Sequence, residues 1–375
     1  MIPASDLGAG YAALRDELDP AIQAILAGGE YERGEDLWRL EDELAAACGT
    51  AHAIAVGSGL AALFIALRAL GIGPGDEVIA PPNTDISTCA AISHTGATFV
   101  WADVELATHN LDPARVAAAI TPRTKAIVAV HLYGLPAPVD ALRALAEPRG
   151  IALVEDAALA FGARVGDRPA GSLGDVAAFS FAPAKVLGAY GDGGLITTGD
   201  AALARRARLL AGYGEPFREA MAGPDGRQRL EAEGYHSHLD LLQAAVLRVK
   251  LRHLPAAAAR RRALAARYDA GLAGSPAIVP RVPAGVTHAY RNYVVRVPRR
   301  DAVRAALAAR GIDTALLYVP PLHQQPVYRD RAAGPFPNAE RLAGELLCLP
   351  MYPELADDDA DRVALELRRA VEATT

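Results

Sequence analysis

The chain has 375 residues, of which 51% are hydrophobic and 22% charged, and its formal net charge at pH 7 is -6. This length suits a large sheet-centred domain followed by a smaller one, with an extensive buried core. The charge distribution argues against nucleic-acid binding, because the arginines are interspersed with acids and Arg260-Arg261-Arg262 forms only a short cluster.

Three widely spaced cysteines, Cys48, Cys89 and Cys348, lie in apolar surroundings. Their odd number and spacing predict neither a disulfide framework nor a metal site, and favour a reducing compartment. The apolar stretch from Leu60 to Leu70 is interrupted by Arg68 and is too short to span a membrane. The amino terminus lacks the features of a signal peptide. We therefore expect a cytoplasmic protein without a membrane segment or a bound metal.

The chain begins with two predicted helices, Ala12 to Leu26 and Leu37 to Cys48, where apolar residues recur at helical spacing. A short apolar strand, Ala51 to Val56, then leads through the turn Gly57-Ser58-Gly59 into an apolar helix that ends at Leu70. This order directs backbone N–H groups and the positive end of a helix at one point, which suits a phosphate. Taken alone, the turn is a weak signal, because a Gly-Ser-Gly turn between a strand and a helix is more often explained by tight packing.

Apolar strands continue to alternate with helices beyond this turn. Such a rhythm predicts an α/β fold in which a parallel sheet is covered by helices on both faces. The predicted strands are Glu77 to Ala80, Ala97 to Val100, Ala126 to Val130 and Ile151 to Val154, and the helices are Ile86 to Thr95, Pro113 to Ile120 and Val139 to Ala146.

Lysine is rare in this chain: among 38 lysines and arginines, only Lys125, Lys185 and Lys250 are lysines. Lys185 lies in a glycine-rich loop between the predicted strands Val176 to Phe181 and Leu195 to Thr198. Arginine stays protonated and cannot bond to a carbonyl carbon, so a lysine in such a loop is a candidate reactive amine. The structural alternative is a surface lysine in a turn.

The later part of the chain has a different pattern. Gly212 to Gly234 is predicted to be an exposed loop or flap, and Leu239 to Leu272 is helical. Strand and helix units follow to the end. We place the domain change near Leu254, which gives a large domain over residues 1–253 and a smaller α/β domain over residues 254–375.

Three predicted strand ends carry groups that suit one cofactor: Gly57-Ser58-Gly59, Glu155-Asp156, and Ser180 with Lys185 just beyond. Ligands of parallel sheets bind at the carboxyl ends of the strands. A phosphate cradle, a carboxylate that keeps a ring nitrogen protonated and a reactive amine together predict pyridoxal 5′-phosphate (PLP). Taken singly, Asp156 is also explained as a helix cap and Ser180 as a hydroxyl bonded to backbone.

Motifs along nearly the whole chain resemble those of the DegT/DnrJ-type sugar aminotransferases, which are PLP enzymes related to aspartate aminotransferase. The resemblance implies fold type I: a large domain whose mixed, mainly parallel seven-stranded sheet is covered by helices, and a smaller carboxyl-terminal α/β domain. The motifs are Ala66 to Ile79, Ile120 to Ile127, His131 to Gly134, Val154 to Ala158, Ser180 to Gly194, Leu239 to Ala245 and Pro321 to Tyr328.

The resemblance also implies roles for single residues. Lys185 matches the lysine that bonds PLP and acts as acid and base, Asp156 the partner of the pyridine nitrogen, and Ser180, Ser58 and Gly59 the phosphate site. It implies a homodimer with shared active sites. It further implies transfer of an amino group, usually from L-glutamate, to a nucleotide-linked keto sugar in amino-sugar or secondary-metabolite biosynthesis.

Five positions depart from the family pattern. Leu60 replaces a threonine at the phosphate, Asp85 replaces an aromatic residue that stacks on the ring, and Leu159 replaces a polar residue beside the ring oxygen. His236 and His238 replace an asparagine and an arginine, and the asparagine is the one that reaches the partner subunit's phosphate. We still assign the first four to the cofactor site, because losing one neutral hydrogen bond costs only roughly 0.5–1.5 kcal/mol.

These departures leave two alternatives open: altered PLP chemistry, or a non-catalytic partner protein with the PLP-enzyme fold. Retention of Lys185, Asp156 and Ser180 together favours the enzyme, since a scaffold needs none of them. In the second domain, Tyr318 and His323 lie in a loop that Pro320-Pro321 would stiffen, which makes them candidates for contact with the substrate. They are weaker candidates than the residues of the cofactor site. A structural hydrogen-bonding histidine is the alternative for His323.

Overall fold

The structure is a computed structural model that describes residues 1–215, 230–331 and 334–374. These residues form twelve strands and eleven α-helices. The strands are β1 His52–Val56, β2 Glu77–Ala80, β3 Thr98–Trp101, β4 Thr124–Val130, β5 Ala152–Asp156, β6 Arg164–Val165, β7 Arg168–Pro169, β8 Val176–Ser180, β9 Gly194–Thr198, β10 Val286–Thr287, β11 Tyr293–Arg296 and β12 Leu346–Leu349. The helices are α1 Leu7–Gly28, α2 Glu35–Cys48, α3 Gly59–Ala69, α4 Ile86–His94, α5 Pro113–Ala119, α6 Val139–Ala146, α7 Ala201–Ala211, α8 Leu241–Leu272, α9 Arg300–Ala309, α10 Pro337–Glu345 and α11 Asp357–Thr374.

The large sheet has seven strands in the order β1-β9-β8-β5-β4-β2-β3. Strands β8, β5, β4, β2 and β3 run parallel, whereas β9 is antiparallel to both of its neighbours. The predicted seven-stranded, mainly parallel sheet is therefore confirmed. Two small sheets, β10-β6-β7 and β11-β12, complete the strands of the described residues.

Helices cover both faces of the large sheet, because its strands are apolar on both sides. Alternate residues such as Val128 and Val154 pack with α3, α4 and α7, while Ala129 and Leu153 pack with α2 and α6. Each fully buried valine or leucine contributes roughly 1.5–3 kcal/mol. Because alternate residues of a strand point to opposite faces, each side chain at a strand end lies on one known face of the sheet.

A third apolar cluster lies between the second half of α8, the helices α9 and α11, and the β11-β12 pair. The domain boundary predicted near Leu254 falls inside α8, which continues through Pro255 without a break. That boundary stays a prediction. Of the predicted loop from Gly212 to Gly234, residues 216–229 lie outside the described residues.

Helix α1 starts at Leu7, earlier than the predicted Ala12, because Asp6 caps it: its carboxylate accepts a hydrogen bond from the Ala9 N–H at 2.9 Å. None of the helices in the described ranges is both long enough and apolar enough to cross a membrane. The same ranges hold no cluster of three or more His, Cys, Asp or Glu side chains arranged to bind a metal ion.

Candidate active site

Three parallel strands end at one pocket of about 480 Å³, where Val130, Asp156 and Ser180 close β4, β5 and β8. The amino-terminal ends of α3 and α4 complete the pocket from one face of the sheet. Most of the predicted site residues meet here: Gly59, Leu60, Asp85, Asp156, Leu159, Ser180, Lys185 and Tyr318 line the wall. Ser58, His236 and His323 do not.

The start of α3 forms a close-fitting cradle. The Ser58 hydroxyl accepts a hydrogen bond from the Ala61 N–H at 3.1 Å and thereby caps the helix. A Cβ on Gly59 would lie 2.6 Å from Ser180 Cβ, so only glycine allows this approach of helix and strand. The N–H groups of Gly59 and Leu60 have no acceptor among the described residues. They are the open donors of a helix start, which suit an anion.

Asp156 is a buried carboxylate without a counter-charge. It accepts hydrogen bonds from Thr88 Oγ1 at 2.7 Å and from the Ala158 N–H at 3.3 Å. No basic side chain of the residues described lies within 4.0 Å of it. Burial raises the pKa of the Asp156 carboxyl, against the effect of the two hydrogen bonds and of the Lys185 charge. Such a group favours a partner that brings a proton or a positive charge.

Lys185 lies in a loop held at several points of its backbone. Its N–H donates to Ala182 O at 2.9 Å, and Lys250 Nζ donates to Gly188 O at 2.6 Å. The Lys185 ammonium makes no hydrogen bond or ion pair with a described residue. Burial lowers the pKa of Lys185, opposed by the charge of Asp156 and assisted by that of Arg291. The amine is therefore less basic than a surface lysine and faces the pocket.

Glu155, which precedes Asp156 in β5, does not belong to the pocket, contrary to the pairing of the two residues in the sequence. Successive side chains of a strand point to opposite faces. Its carboxylate accepts N–H groups of the segment that leads into β8, from Gly171 at 2.9 Å and Leu173 at 2.7 Å, and it lies 2.8 Å from His131 Nε2. Glu155 is thus fully satisfied inside the protein.

The structure gives physical reasons for the apparent anomalies near the pocket. Asp85 caps α4: its carboxylate accepts hydrogen bonds from the Ser87 N–H at 2.9 Å and from the Ser87 hydroxyl. Leu60 has no side-chain hydroxyl, but it lines the pocket and its backbone N–H has no acceptor among the described residues. Leu159 contributes an apolar wall. All three line the same pocket as Lys185 and Asp156.

The segment that contains His236 and His238 packs against the turn before α3, outside the pocket. Ser237 Oγ accepts a hydrogen bond from the Gly57 N–H at 3.1 Å. His238 Nε2 lies 3.1 Å from the Arg33 guanidinium, which can only donate, so this nitrogen accepts and the ring is neutral. Burial lowers the pKa of His238 to about 4. His236 is exposed and does not reach the pocket of its own chain.

The two substrate candidates separate in the structure. Tyr318 lines the pocket, and burial raises the pKa of its hydroxyl. His323 is buried elsewhere: its Nε2 lies 3.1 Å from Glu340 Oε1 and its ring packs on Phe336 with centroids 4.9 Å apart. These contacts are those of the structural alternative for His323, and its contact with the substrate stays a prediction.

Sequence reasoning missed the placement of four residues near the pocket. Thr88 orients Asp156, and the hydroxyl of Thr84, just before the start of α4, lies 2.9 Å from the Thr88 hydroxyl. That spacing of two hydroxyls was the available signal. Lys250 was noticed only as a rare lysine. Arg291 gave no signal, because its placement depends on contacts that are distant in sequence.

Comparison with known proteins supports the geometry. A model of the DegT/DnrJ/EryC1/StrS aminotransferase family matches residues 13–368. The chain is 47% identical over 376 residues to the dTDP-3-amino-3,4,6-trideoxy-alpha-D-glucose transaminase of Streptomyces venezuelae, covering 99% of this chain and 96% of that protein. It is 42% identical over 372 residues to the UDP-N-acetyl-3-dehydro-alpha-D-glucosamine 3-aminotransferase of Acidithiobacillus ferrooxidans, covering 99% and 98%.

Solved structures are similar over the same extent. DesV of S. venezuelae, in complex with a ketimine intermediate, superposes with a TM-score of 0.94 at 46% identity and covers 99% of this chain and 98% of that chain. The PLP form of Spr1654 from Streptococcus pneumoniae has a TM-score of 0.90 at 25% identity and covers 96% and 97%. The likeness therefore extends to a protein solved with PLP.

Proposed function

The chain belongs to the DegT/DnrJ/EryC1/StrS aminotransferase family, and from that premise we propose that it transfers an amino group from L-glutamate to a nucleotide-linked keto sugar. The observation that carries the proposal is the pocket in which the buried, unpaired Asp156 and the amine of Lys185 face one space. A scaffold protein gains nothing from an uncompensated buried carboxylate, which destabilises the fold. Free, buried cysteines suit the cytoplasm as the place of action.

The pocket residues fit PLP at each of its reactive ends. The open N–H groups of Gly59 and Leu60 and the Ser180 hydroxyl would hold the phosphate, with Ser58 fixing the helix start. The carboxylate of Asp156 has no positively charged partner, and the protonated ring nitrogen of PLP would be that partner. Lys185 would hold the cofactor through its Nζ, and Leu159 and Asp85 would flank the ring.

When bound, PLP supplies an electron sink for the charge left when the donor's α-carbon loses its proton. Once the donor's amine has displaced it from the cofactor, Lys185 Nζ would be free to take that proton, because burial lowers its pKa and no described side chain holds the nitrogen. The same nitrogen returns a proton to the acceptor's carbon in the second half of the reaction. Asp156 holds the proton of the ring nitrogen, and Thr88 keeps the carboxylate in position. Val130 and Leu132 provide apolar walls that exclude water.

We further propose carbon 3 of the sugar as the site of amination. The names of both relatives place the nitrogen at carbon 3, although one name refers to a dTDP sugar and the other to a UDP sugar. The test is to incubate the PLP-loaded enzyme and L-glutamate with dTDP- and UDP-linked 3-keto hexoses and their 4-keto isomers. Mass spectrometry should find the amino sugar and 2-oxoglutarate from a 3-keto sugar. Product from 4-keto sugars alone contradicts the carbon assignment, and no product from either contradicts the function.

The second copy of the chain would complete the site in a homodimer, with His236 reaching the partner's phosphate. His236 is exposed beside the exposed aromatic side chains of Tyr213 and Tyr235, which are 48% and 37% accessible. An apolar, exposed surface of this kind favours association. Light scattering should therefore give twice the mass of the chain.

A mixing experiment tests the shared site. In a dimer of Lys185→Ala and His236→Ala subunits, one site contains both wild-type residues and the other lacks both. Mixing and re-forming two weakly active variants should therefore restore activity. A mixture no more active than its components would show that His236 acts within its own chain or not at all.

A further inference from the structure

A second cavity, of about 720 Å³, adjoins the first at Lys185. It lies between the amino-terminal segment, the lysine loop, α8 and the loops before β11 and after β12. Basic side chains outnumber acidic ones on its wall: Lys185, Lys250, Arg261 and Arg291 face Asp6 and Glu354. A cavity with this excess of positive charge attracts an anion.

Arg291 is partly buried and differs from Arg261, the buried arginine of this cavity, in its hydrogen bonds. Arg261 donates through Nη1 to the carbonyl groups of Tyr290 at 3.2 Å and Met351 at 2.9 Å. The Arg291 guanidinium makes no hydrogen bond or ion pair with any residue that the structure describes, and its Nε is fully shielded from solvent. A buried donor that lacks an acceptor costs about 1–3 kcal/mol, and more when it is charged. Arg291 is therefore poised for an anionic partner that the chain does not supply.

The backbone around Arg291 is held in one position. The preceding residue, Tyr290, has a left-handed conformation with φ of 47°, and so does Tyr133 with φ of 59°. The two turns are joined by hydrogen bonds from the Ala289 N–H to Gly134 O at 2.9 Å and from the Asn292 N–H to Tyr133 O at 3.3 Å. Strained conformations of this kind cluster at binding sites, where the surrounding structure enforces them.

We propose that Arg291 binds a carboxylate of the amino-acid donor and so makes the cavity beside Lys185 the donor's binding site. This inference rests on the proposed function. A guanidinium matches a carboxylate in a two-point hydrogen-bonded pair. The donor's α-carboxylate is bonded to the carbon that must lose its proton to Lys185, so its anchor has to lie next to that lysine. Arg291 and Lys185 line the same cavity, and their charges interact.

The keto-sugar acceptor carries no carboxylate beside its carbonyl, so Arg291 should serve the donor half of the reaction selectively. The informative variants are Arg291→Met, Arg291→Lys and the control Arg262→Met, which changes an exposed arginine of α8. In Arg291→Met the L-glutamate concentration for half-conversion of the bound cofactor, followed by absorbance, should rise roughly 10- to 100-fold. Arg291→Lys keeps the charge but not the two-point geometry. Its L-glutamate concentration for half-conversion should lie between those of the wild type and Arg291→Met.

The carboxylate site has a second, non-catalytic readout. Glutarate has two carboxylates and no amine, so it cannot be transaminated. It should raise the unfolding temperature of the wild-type and Arg262→Met holoenzymes, and not that of Arg291→Met. If glutarate does so while L-glutamate never converts the wild-type cofactor, the proposed function fails and the carboxylate site stands.

Three results would overturn the proposal. One is equal glutarate binding by the wild type and Arg291→Met. Another is a parallel loss in Arg291→Met of the donor and the acceptor half-reactions together with a lower unfolding temperature, which would make Arg291 a structural residue. A loss confined to the acceptor half-reaction would assign the anion to the sugar nucleotide instead, and would likewise refute the donor site.

Discussion

Replacing Asp156 by asparagine should separate cofactor binding from folding. The variant has nearly the same shape and keeps an acceptor for Thr88 Oγ1, but it removes a buried charge that no described basic side chain neutralises. Without PLP, that charge opposes folding. We therefore expect the cofactor-free variant to be at least as stable as the cofactor-free wild type at pH 7.5, which is unusual for a substitution in a buried site.

The pH dependence of this difference has a definite sign. Burial raises the pKa of Asp156 above its unfolded value of 3.8. The protonated carboxyl is the form that folding favours, so its contribution to stability is present at pH values below 3.8 and is lost as the pH rises through the raised folded pKa. The advantage of the asparagine variant should accordingly be absent near pH 4 and grow toward neutral pH.

With PLP bound, the wild type should be more stable than the asparagine variant. A hydrogen bond to a charged group contributes about 1.5–3 kcal/mol, which corresponds to roughly a 10- to 150-fold difference in affinity. A ligand stabilises the folded state by RT ln(1 + [L]/Kd), so a 100-fold weaker affinity removes about 2.7 kcal/mol of PLP-dependent stabilisation at saturating cofactor. Differential scanning calorimetry with and without PLP measures both quantities in one series. A less stable cofactor-free variant, or an unchanged PLP-dependent shift, would refute this reasoning.

Three further substitutions or titrations address the same site and its surroundings. Gly59→Ala places a Cβ 2.6 Å from Ser180 Cβ, and overpacking of this kind should lower the free energy of unfolding by about 1–3 kcal/mol in urea titrations. Thr88→Val removes the 2.7 Å hydrogen bond to Asp156, and PLP titration should show affinity weakened by about tenfold; an unchanged affinity would contradict the positioning role of Thr88. Burial lowers the pKa of His288 from 6.5 to about 3. As the pH falls, His288 is therefore protonated in the unfolded chain before it is protonated in the folded protein. This difference should lower the free energy of unfolding by about 2 kcal/mol between pH 7 and pH 5. His288→Gln should lose that part of the acid sensitivity, and an equally acid-sensitive variant would exclude His288 as its source.

The sheet was predictable from sequence because buried parallel strands are short apolar runs separated by helices. Lys185 and Asp156 were predictable because each follows such a run, and strand ends of one direction share an edge. Glu155 and Asp156 were paired at the predicted site, although successive side chains of a strand point to opposite faces. The sequence does not say which of the two faces carries α3 and α4. That choice requires the packing of the whole sheet.

Other features depend on contacts that no local pattern carries. His323 is fixed by Glu340 and Phe336, and its loop position alone suggested a substrate contact. Arg291 depends on a turn fastened to Gly134, far away in the sequence. Asp85 departed from the family pattern, and its capping of α4 became evident only once the helix start was placed. Capping residues and partners of buried charges are therefore the part of this site that sequence reasoning recovers least.

The most direct test of PLP-dependent amino transfer is the visible absorption spectrum of the purified protein with PLP, recorded before and after addition of L-glutamate. We expect a yellow band of lysine-bound cofactor that L-glutamate bleaches, and that the Lys185→Ala variant does not form. A spectrum of free PLP only, or a band that L-glutamate leaves unchanged in the wild type, would contradict the assignment of Lys185 and the transaminase function together.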